Sequence, residues 1–79
     1  MTDNYASQQS TNELNKLMTI ASDTEMSADI RMRVIKSIGS IGSHDALLCL
    51  LEIVANDRIS TKERELALKQ AHTIVKRGR

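Results

Sequence analysis

Aliphatic residues recur along the chain at intervals of three and four, the spacing that places side chains on one face of an α-helix. A first stripe predicts a helix over residues 11–22, and a second predicts a helix over residues 28–40. A third predicted helix starts at Ser43 with Asp45, and a fourth follows Ser60. The third helix is apolar on more than one side, so we expect it at the centre of the fold. The pattern predicts an all-α protein of four helices.

Each stripe is preceded by a serine, a residue that caps helix N-termini by accepting a backbone N–H hydrogen bond. Ser10 with Glu13 and Ser60 with Glu63 have the spacing of a capping box, in which both residues satisfy N–H groups reciprocally. Ser27 is the predicted cap of the second helix. These residues predict where the helices begin.

Gly39 and Gly42 close the second stripe, in the segment Ile-Gly-Ser-Ile-Gly-Ser. Glycine takes the left-handed conformation that terminates a helix without steric cost, so we interpret both glycines as structural. A phosphate-binding loop is the alternative for closely spaced glycines, but its lysine and threonine are absent here. The segment is therefore predicted to join two helices.

The chain has 79 residues, no proline, and Tyr5 as its only aromatic residue, which favours helices and allows one small domain. Residues 1–9 are polar without periodicity, so we predict a disordered tail. Residues 10–79 are predicted to form a single helical domain.

The helical region contains an internal repeat. Residues 10–42 align with residues 43–75 at an offset of 33, with eight identities. We name residues 10–42 repeat one and residues 43–79 repeat two. The identities fall on predicted caps and apolar positions, and they include Ser10 with Ser43, Leu14 with Leu47, Leu17 with Leu50, Ile20 with Ile53, Ser27 with Ser60, Arg31 with Arg64, Lys36 with Lys69 and Ile41 with Ile74. Self-similarity at this period predicts two stacked helical hairpins.

This order of caps, aliphatic positions and a single inward arginine in each repeat, with Ile-Gly-Ser-Ile-Gly-Ser before Asp45-Ala46-Leu47, resembles the HEAT repeat, including the HEAT-like repeats of phycobilin lyases. The resemblance covers residues 10–77. It implies two antiparallel hairpins stacked as a short α-α superhelix. It also implies that Arg31 and Arg64 bond near the turn within each hairpin, a structural role. Two features depart from the family. The proline usual in the first helix of each repeat is missing here. At a position where the family usually has an aliphatic residue, repeat one has Ile30 but repeat two has Glu63.

No residue pattern supports an enzyme. His44 and His72 have no cysteine or histidine at the spacing of a metal pair, so neither a metal nor a cofactor is predicted. Ser43, His44 and Asp45 contain the letters of a hydrolase triad, but adjacency in sequence is not triad geometry. Cys49 lies in an apolar helix and is interpreted as a small buried side chain. Lyase or chaperone activity toward a chromophore would rest on the family resemblance alone.

Charge and hydropathy indicate a protein without a membrane span. The net charge is +1 with acids and bases interspersed, no segment approaches a transmembrane helix in length, and the N-terminus lacks a signal-peptide pattern. The lone cysteine fits a reducing compartment. We therefore expect a cytoplasmic protein.

The remaining candidate for function is a helical surface. A two-repeat solenoid leaves its ends open, so the leading hypothesis is a small interaction module or adaptor that binds another protein or its own copy. In a HEAT-like arrangement the second helix of each repeat lines the concave side, and the predicted partner-binding residues there are Arg33, Lys36, Ser40, Glu65, Lys69, Gln70, Thr73 and Lys76. The alternative is a nucleic-acid-binding accessory protein that uses the basic C-terminal helix, with Lys69, Lys76, Arg77 and Arg79, together with Lys36 of the second helix. The low net charge and the lack of stacking aromatics argue against that alternative.

Overall fold

A computed structural model describes the backbone of residues 2–78 and the side chains of residues 12–78. The fold is all-α with four helices, α1 (Thr2–Ala21), α2 (Ala28–Ile41), α3 (His44–Val54) and α4 (Thr61–Arg77). Residues 2–78 contain no β-strand. The predicted fold class is therefore confirmed.

The helices form two stacked antiparallel hairpins. Helices α1 and α2 pack together, as do α3 and α4. Between the hairpins, α2 packs against α4, and α1 packs less extensively against α3. Corresponding helices of the two repeats therefore lie side by side, and the core lies between them.

Three of the four predicted caps are present in the structure. The hydroxyl oxygens of Ser27, Ser43 and Ser60 accept hydrogen bonds from the backbone N–H groups three residues later. Ser60 and Glu63 complete the predicted capping box. These caps place the starts of α2, α3 and α4 within a residue or two of their predicted positions.

The first helix differs from the prediction. It begins at Thr2, so Ser10 lies inside α1 and does not start it. Residues 2–9 contain neither glycine nor proline, so nothing in their backbone chemistry stops the helix there. Residues 2–9, which the sequence predicts as part of a disordered tail, are helical in the structure. The side chains of residues 2–11, including Tyr5, lie outside the described residues.

The two central glycines have different roles. Gly42 ends α2 with φ of 67°, in the left-handed region, as predicted. Gly39 lies inside α2 and does not end it. A Cβ atom on Gly39 would lie 3.1 Å from the Cβ of Gln70 and closer still to its amide. The missing side chain therefore lets α4 approach α2, which periodicity along one helix does not reveal.

Replacing Gly42 with alanine should destabilise the fold by about 1 kcal/mol, because an L-residue is strained at this positive φ. Gly78 is the matched control, since it caps α4 with φ of −68° and a Cβ there meets nothing closer than 3.5 Å. The free energy of unfolding of Gly42→Ala and Gly78→Ala, measured in urea, should fall only for the first. Equal effects would contradict the assigned role of Gly42.

Candidate interaction surface

A buried ion pair joins the two hairpins. The Arg31 guanidinium donates from Nε to Oε2 of Glu63 at 2.5 Å and from Nη2 to Oε1 at 3.1 Å. Arg31 is 9% exposed and Glu63 is completely buried. The two parallel hydrogen bonds make a bidentate contact, the arrangement that gives arginine and carboxylate their strongest pairing. Repeat one is thus fastened to the first turn of α4.

Arg31 also holds the turn of its own hairpin. Its Nη1 donates to the backbone oxygens of Asp23, at 3.0 Å, and Met26. These carbonyl groups follow the end of α1 and have no partner within a helix. One side chain therefore connects the α1–α2 turn with repeat two, in agreement with the structural role predicted for Arg31.

Glu63 has a second set of partners at the start of α4. Its Oε1 accepts from the hydroxyl of Ser60 at 2.7 Å and from the Ser60 backbone N–H at 3.2 Å. Together with the two bonds from Arg31, these contacts satisfy the buried carboxylate. The capping residue predicted from the sequence is thus also the acidic half of the ion pair.

The hydrogen bonds favour the charged forms of both groups. The hydrogen bond from Arg31 lowers the pKa of Glu63 below its ordinary value, burial opposes this, and the bonds from Ser60 lower it further. The bond to Glu63 raises the pKa of Arg31 against the effect of burial. The pair is therefore ionised at neutral pH.

Arg64 occupies the position of Arg31 in repeat two but lacks its partners. Its Nη2 contacts only the Thr61 hydroxyl, at 3.4 Å. Its Nε is buried, and within residues 12–78 no acceptor reaches it. The resemblance implies a bond from Arg64 to the α3–α4 turn, and among residues 12–78 the structure shows none.

Burial of equivalent residues shows which sides of the repeats are uncovered. Ile35 is fully buried beneath repeat two, whereas its counterpart Leu68 is 53% exposed. Met18 is half-buried against the core, whereas its counterpart Leu51 is 44% exposed. Val75 is exposed on the same stripe of α4 as Leu68. We name the surface made by Leu51, Arg64, Leu68 and Val75 the repeat-two end face.

At the opposite end of the stack, the residues of repeat two are buried and their counterparts in repeat one are exposed. Glu63 and Ile74 are buried against repeat one, whereas their counterparts Ile30 and Ile41 are 41% and 38% exposed. Ile41 lines a shallow groove with residues of α1 and α2, namely Glu13, Lys16, Leu17 and Ser37. We name the surface that contains Ile30 and Ile41 the repeat-one end face. Both ends of the stack thus present aliphatic side chains to solvent.

The residues predicted to bind a partner lie along α2 and α4, and most are exposed. Arg33 forms a solvent-exposed ion pair with Asp29 at 3.6 Å. Gln70 is half-buried against Gly39, so it is part of the contact between the repeats. The exposed remainder comprises Lys36, Ser40, Glu65, Lys69, Thr73 and Lys76. Binding by these residues stays a prediction.

Cys49 and the two histidines are the reactive side chains that the sequence singled out. Burial raises the pKa of the Cys49 thiol, and Glu52 and Asp45 raise it further, so little nucleophilic thiolate is present at neutral pH. His44 and His72 are exposed. Across the described part of the chain, no three histidine, cysteine or acidic residues cluster to hold a metal ion. Arg79, of the alternative nucleic-acid site, lies outside the described residues.

No helix in the described part of the chain is long and apolar enough to cross a membrane. No protein-family profile, curated protein or solved structure matches the chain. The geometry of the surface therefore carries the functional argument.

Replacing Glu63 with isoleucine, the residue at the equivalent position of repeat one, should destabilise the protein by about 3 kcal/mol or more at pH 7. The buried Arg31 charge would lose its counterion, which is more costly than the net value of the pair. Adding Arg31→Met should restore part of the stability, but not all, since the Met26 carbonyl loses its donor and the Asp23 carbonyl keeps only the Met26 backbone N–H. Chemical denaturation of both variants measures this, and full restoration would contradict the carbonyl contribution.

Stability should also depend on pH through Glu63. Because folding lowers its pKa, the carboxylate contributes stability above its unfolded pKa of about 4.3, and this contribution is lost as pH falls through the lower folded pKa. The stability gap between wild type and Glu63→Gln should therefore be widest at neutral pH and shrink in acid. Urea unfolding from pH 7 to pH 2 tests this, with Glu65→Gln on the exposed side of α4 as the control. A gap independent of pH would contradict the ionised pair.

Proposed function

We propose that this chain is a small protein-interaction module, an adaptor built from two HEAT-like hairpins, that binds another protein through a helical end. The observation that carries the proposal is the exposure of Leu51, Leu68 and Val75 on the repeat-two end face. A stacked repeat normally covers such a surface with its neighbour. Here the surface is open to a partner.

The free energy available from burial favours the repeat-two end face as the binding site over the exposed polar residues of α2 and α4. We call the latter, which include Lys36 and Lys69, the polar row. Full burial of an aliphatic side chain contributes about 1.5–3 kcal/mol, and these three side chains are already about half-buried. Covering them would therefore contribute roughly 3 kcal/mol in total. An exposed ion pair such as one with Lys36 or Lys69 contributes about 0–1 kcal/mol. The polar row can therefore contribute to selecting partners by their charge, but it contributes little to binding affinity.

The HEAT-like assignment is supported by particular contacts. Arg31 bonds the carbonyls of the α1–α2 turn, as the family resemblance implies. The turns of the two repeats also match, since Asp23 and Asn56 accept from the backbone N–H two residues later at equivalent positions. A cytoplasmic location, consistent with a free and half-buried Cys49, belongs to the same proposal.

The test is affinity capture from the source cell with matched surface variants, scored for protein and nucleic acid together. The double variant Leu51→Glu/Leu68→Glu places charges on the end face, and we expect it to lose a copurifying protein at least tenfold. The control variant Arg33→Glu/Lys69→Glu alters the polar row and should retain that protein. Both pairs are exposed, so circular dichroism should show unchanged helix content.

Two results would contradict the proposal. Retention by the end-face variant with loss by the polar-row variant would move the binding site to α2 and α4. Recovery of nucleic acid, weakening steeply with salt, would favour the nucleic-acid alternative.

A further inference from the structure

Repeat one shows what an arginine at this position requires. Arg31 pairs through Nε with Glu63, which stands in the first turn of the neighbouring α4. In Arg64 the same atom is buried without an acceptor among the described residues. A buried donor left unpaired costs about 1–3 kcal/mol, more when it is charged. Arg64 as a whole is only half-buried, so its guanidinium can turn toward a carboxylate supplied by a neighbour, and that pairing would remove the cost.

The aliphatic residues that follow Arg31 and Arg64 also occupy equivalent positions in the two repeats. Ile35 follows Arg31 by four residues and is fully covered, while Leu68 follows Arg64 by four residues and is exposed. Val75 extends the stripe by two further turns of α4. Arginine and aliphatic side chains on one helical stripe match a neighbouring helix with a glutamate in its first turn and apolar residues after it, as α4 has.

We propose that the repeat-two end face docks a helical segment of another protein, and that a carboxylate in the first turn of this segment pairs with Arg64. The inference rests on the proposed protein-binding function and names the chemistry of the partner. It predicts that recognition depends on a negative charge at one position of the partner helix, flanked by aliphatic or small side chains.

A second copy of the chain does not supply this charge. If a copy stacked its repeat one on the end face as repeat two stacks on repeat one, Ile30 would occupy the position of Glu63. An aliphatic side chain would then face the Arg64 guanidinium and leave its Nε unpaired. The residue at position 30 therefore disfavours stacking of identical copies and favours a different protein.

The equivalence of positions 30 and 63 allows a variant of this chain to serve as a model partner that carries the carboxylate. Ile30 is exposed and lies three residues after the cap Ser27, so Ile30→Glu would make the capping box that Ser60 and Glu63 form, without loss of core packing. The double variant Ile30→Glu/Arg64→Met can offer the carboxylate but cannot accept one. The double variant Ile30→Gln/Arg64→Met is the neutral control with the same shape.

The experiment mixes each double variant with the wild-type chain and measures mass by sedimentation and native mass spectrometry. We expect a 1:1 complex with the glutamate variant, with an apparent Kd at least tenfold lower than with the glutamine variant. Raising the salt concentration should narrow this difference. Replacing the wild-type partner with Arg64→Met should abolish the preference for glutamate, and replacing it with Leu68→Glu should abolish the complex.

Three outcomes would overturn the inference. Equal binding of the glutamate and glutamine variants would remove the carboxylate requirement. Failure of both to bind would show that the end face does not accept a hairpin of this geometry. Self-association of the wild type that is lost in Arg64→Met would identify a second copy as the occupant. The capture experiment with Leu51→Glu/Leu68→Glu is independent of position 30, so a partner lost there would sustain the proposed function even if this inference failed.

Discussion

The pairing of Arg31 with Glu63 is the contact on which the arrangement of the two hairpins depends. Each residue is also tied to its own repeat, Arg31 through the carbonyls of the α1–α2 turn and Glu63 through the cap at Ser60. Sliding one hairpin along the other would break the pair and leave two buried charges, which is more costly than repacking aliphatic side chains. An aliphatic core of similar residues would allow several registers, whereas the ion pair is compatible with one.

Much of the fold could be predicted from the sequence because its determinants are local. A serine three residues before an N–H group, or a glycine at a left-handed position, acts within one turn of the chain. The role of Glu63 as a cap was predictable for this reason, whereas its pairing with Arg31 was not. The two residues are 32 positions apart, and only the stacking of the hairpins brings them together. Gly39 was misassigned as part of a helix end for the same reason, since Gln70 approaches it from another helix.

The candidate site was less predictable than the fold. An apolar stripe shows which side of a helix avoids water, but it does not show which of two packed neighbours covers that side. Leu68 belongs to the regular apolar stripe of α4, a pattern that predicts burial, yet it is exposed because no helix lies beyond it in the described structure. The repeat alignment contained the missing information. Equivalent positions should have equivalent burial in an extended array, so a pair such as Ile35 and Leu68 marks a side of the described structure that no repeat covers.

The differences between the repeats give the stack a direction. At the position equivalent to Glu63, repeat one has Ile30, whereas both repeats keep the arginine that follows one residue later. One end of the stack therefore exposes an aliphatic residue, and the other carries a half-buried guanidinium whose Nε has no acceptor among residues 12–78. Two such ends complement each other in apolar area but not in charge. Since an unpaired buried charge costs more than a few exposed methylene groups, the charge mismatch outweighs the apolar attraction. In the proposed binding mode, the residues of the two end faces would therefore distinguish a helix of another protein from an identical copy.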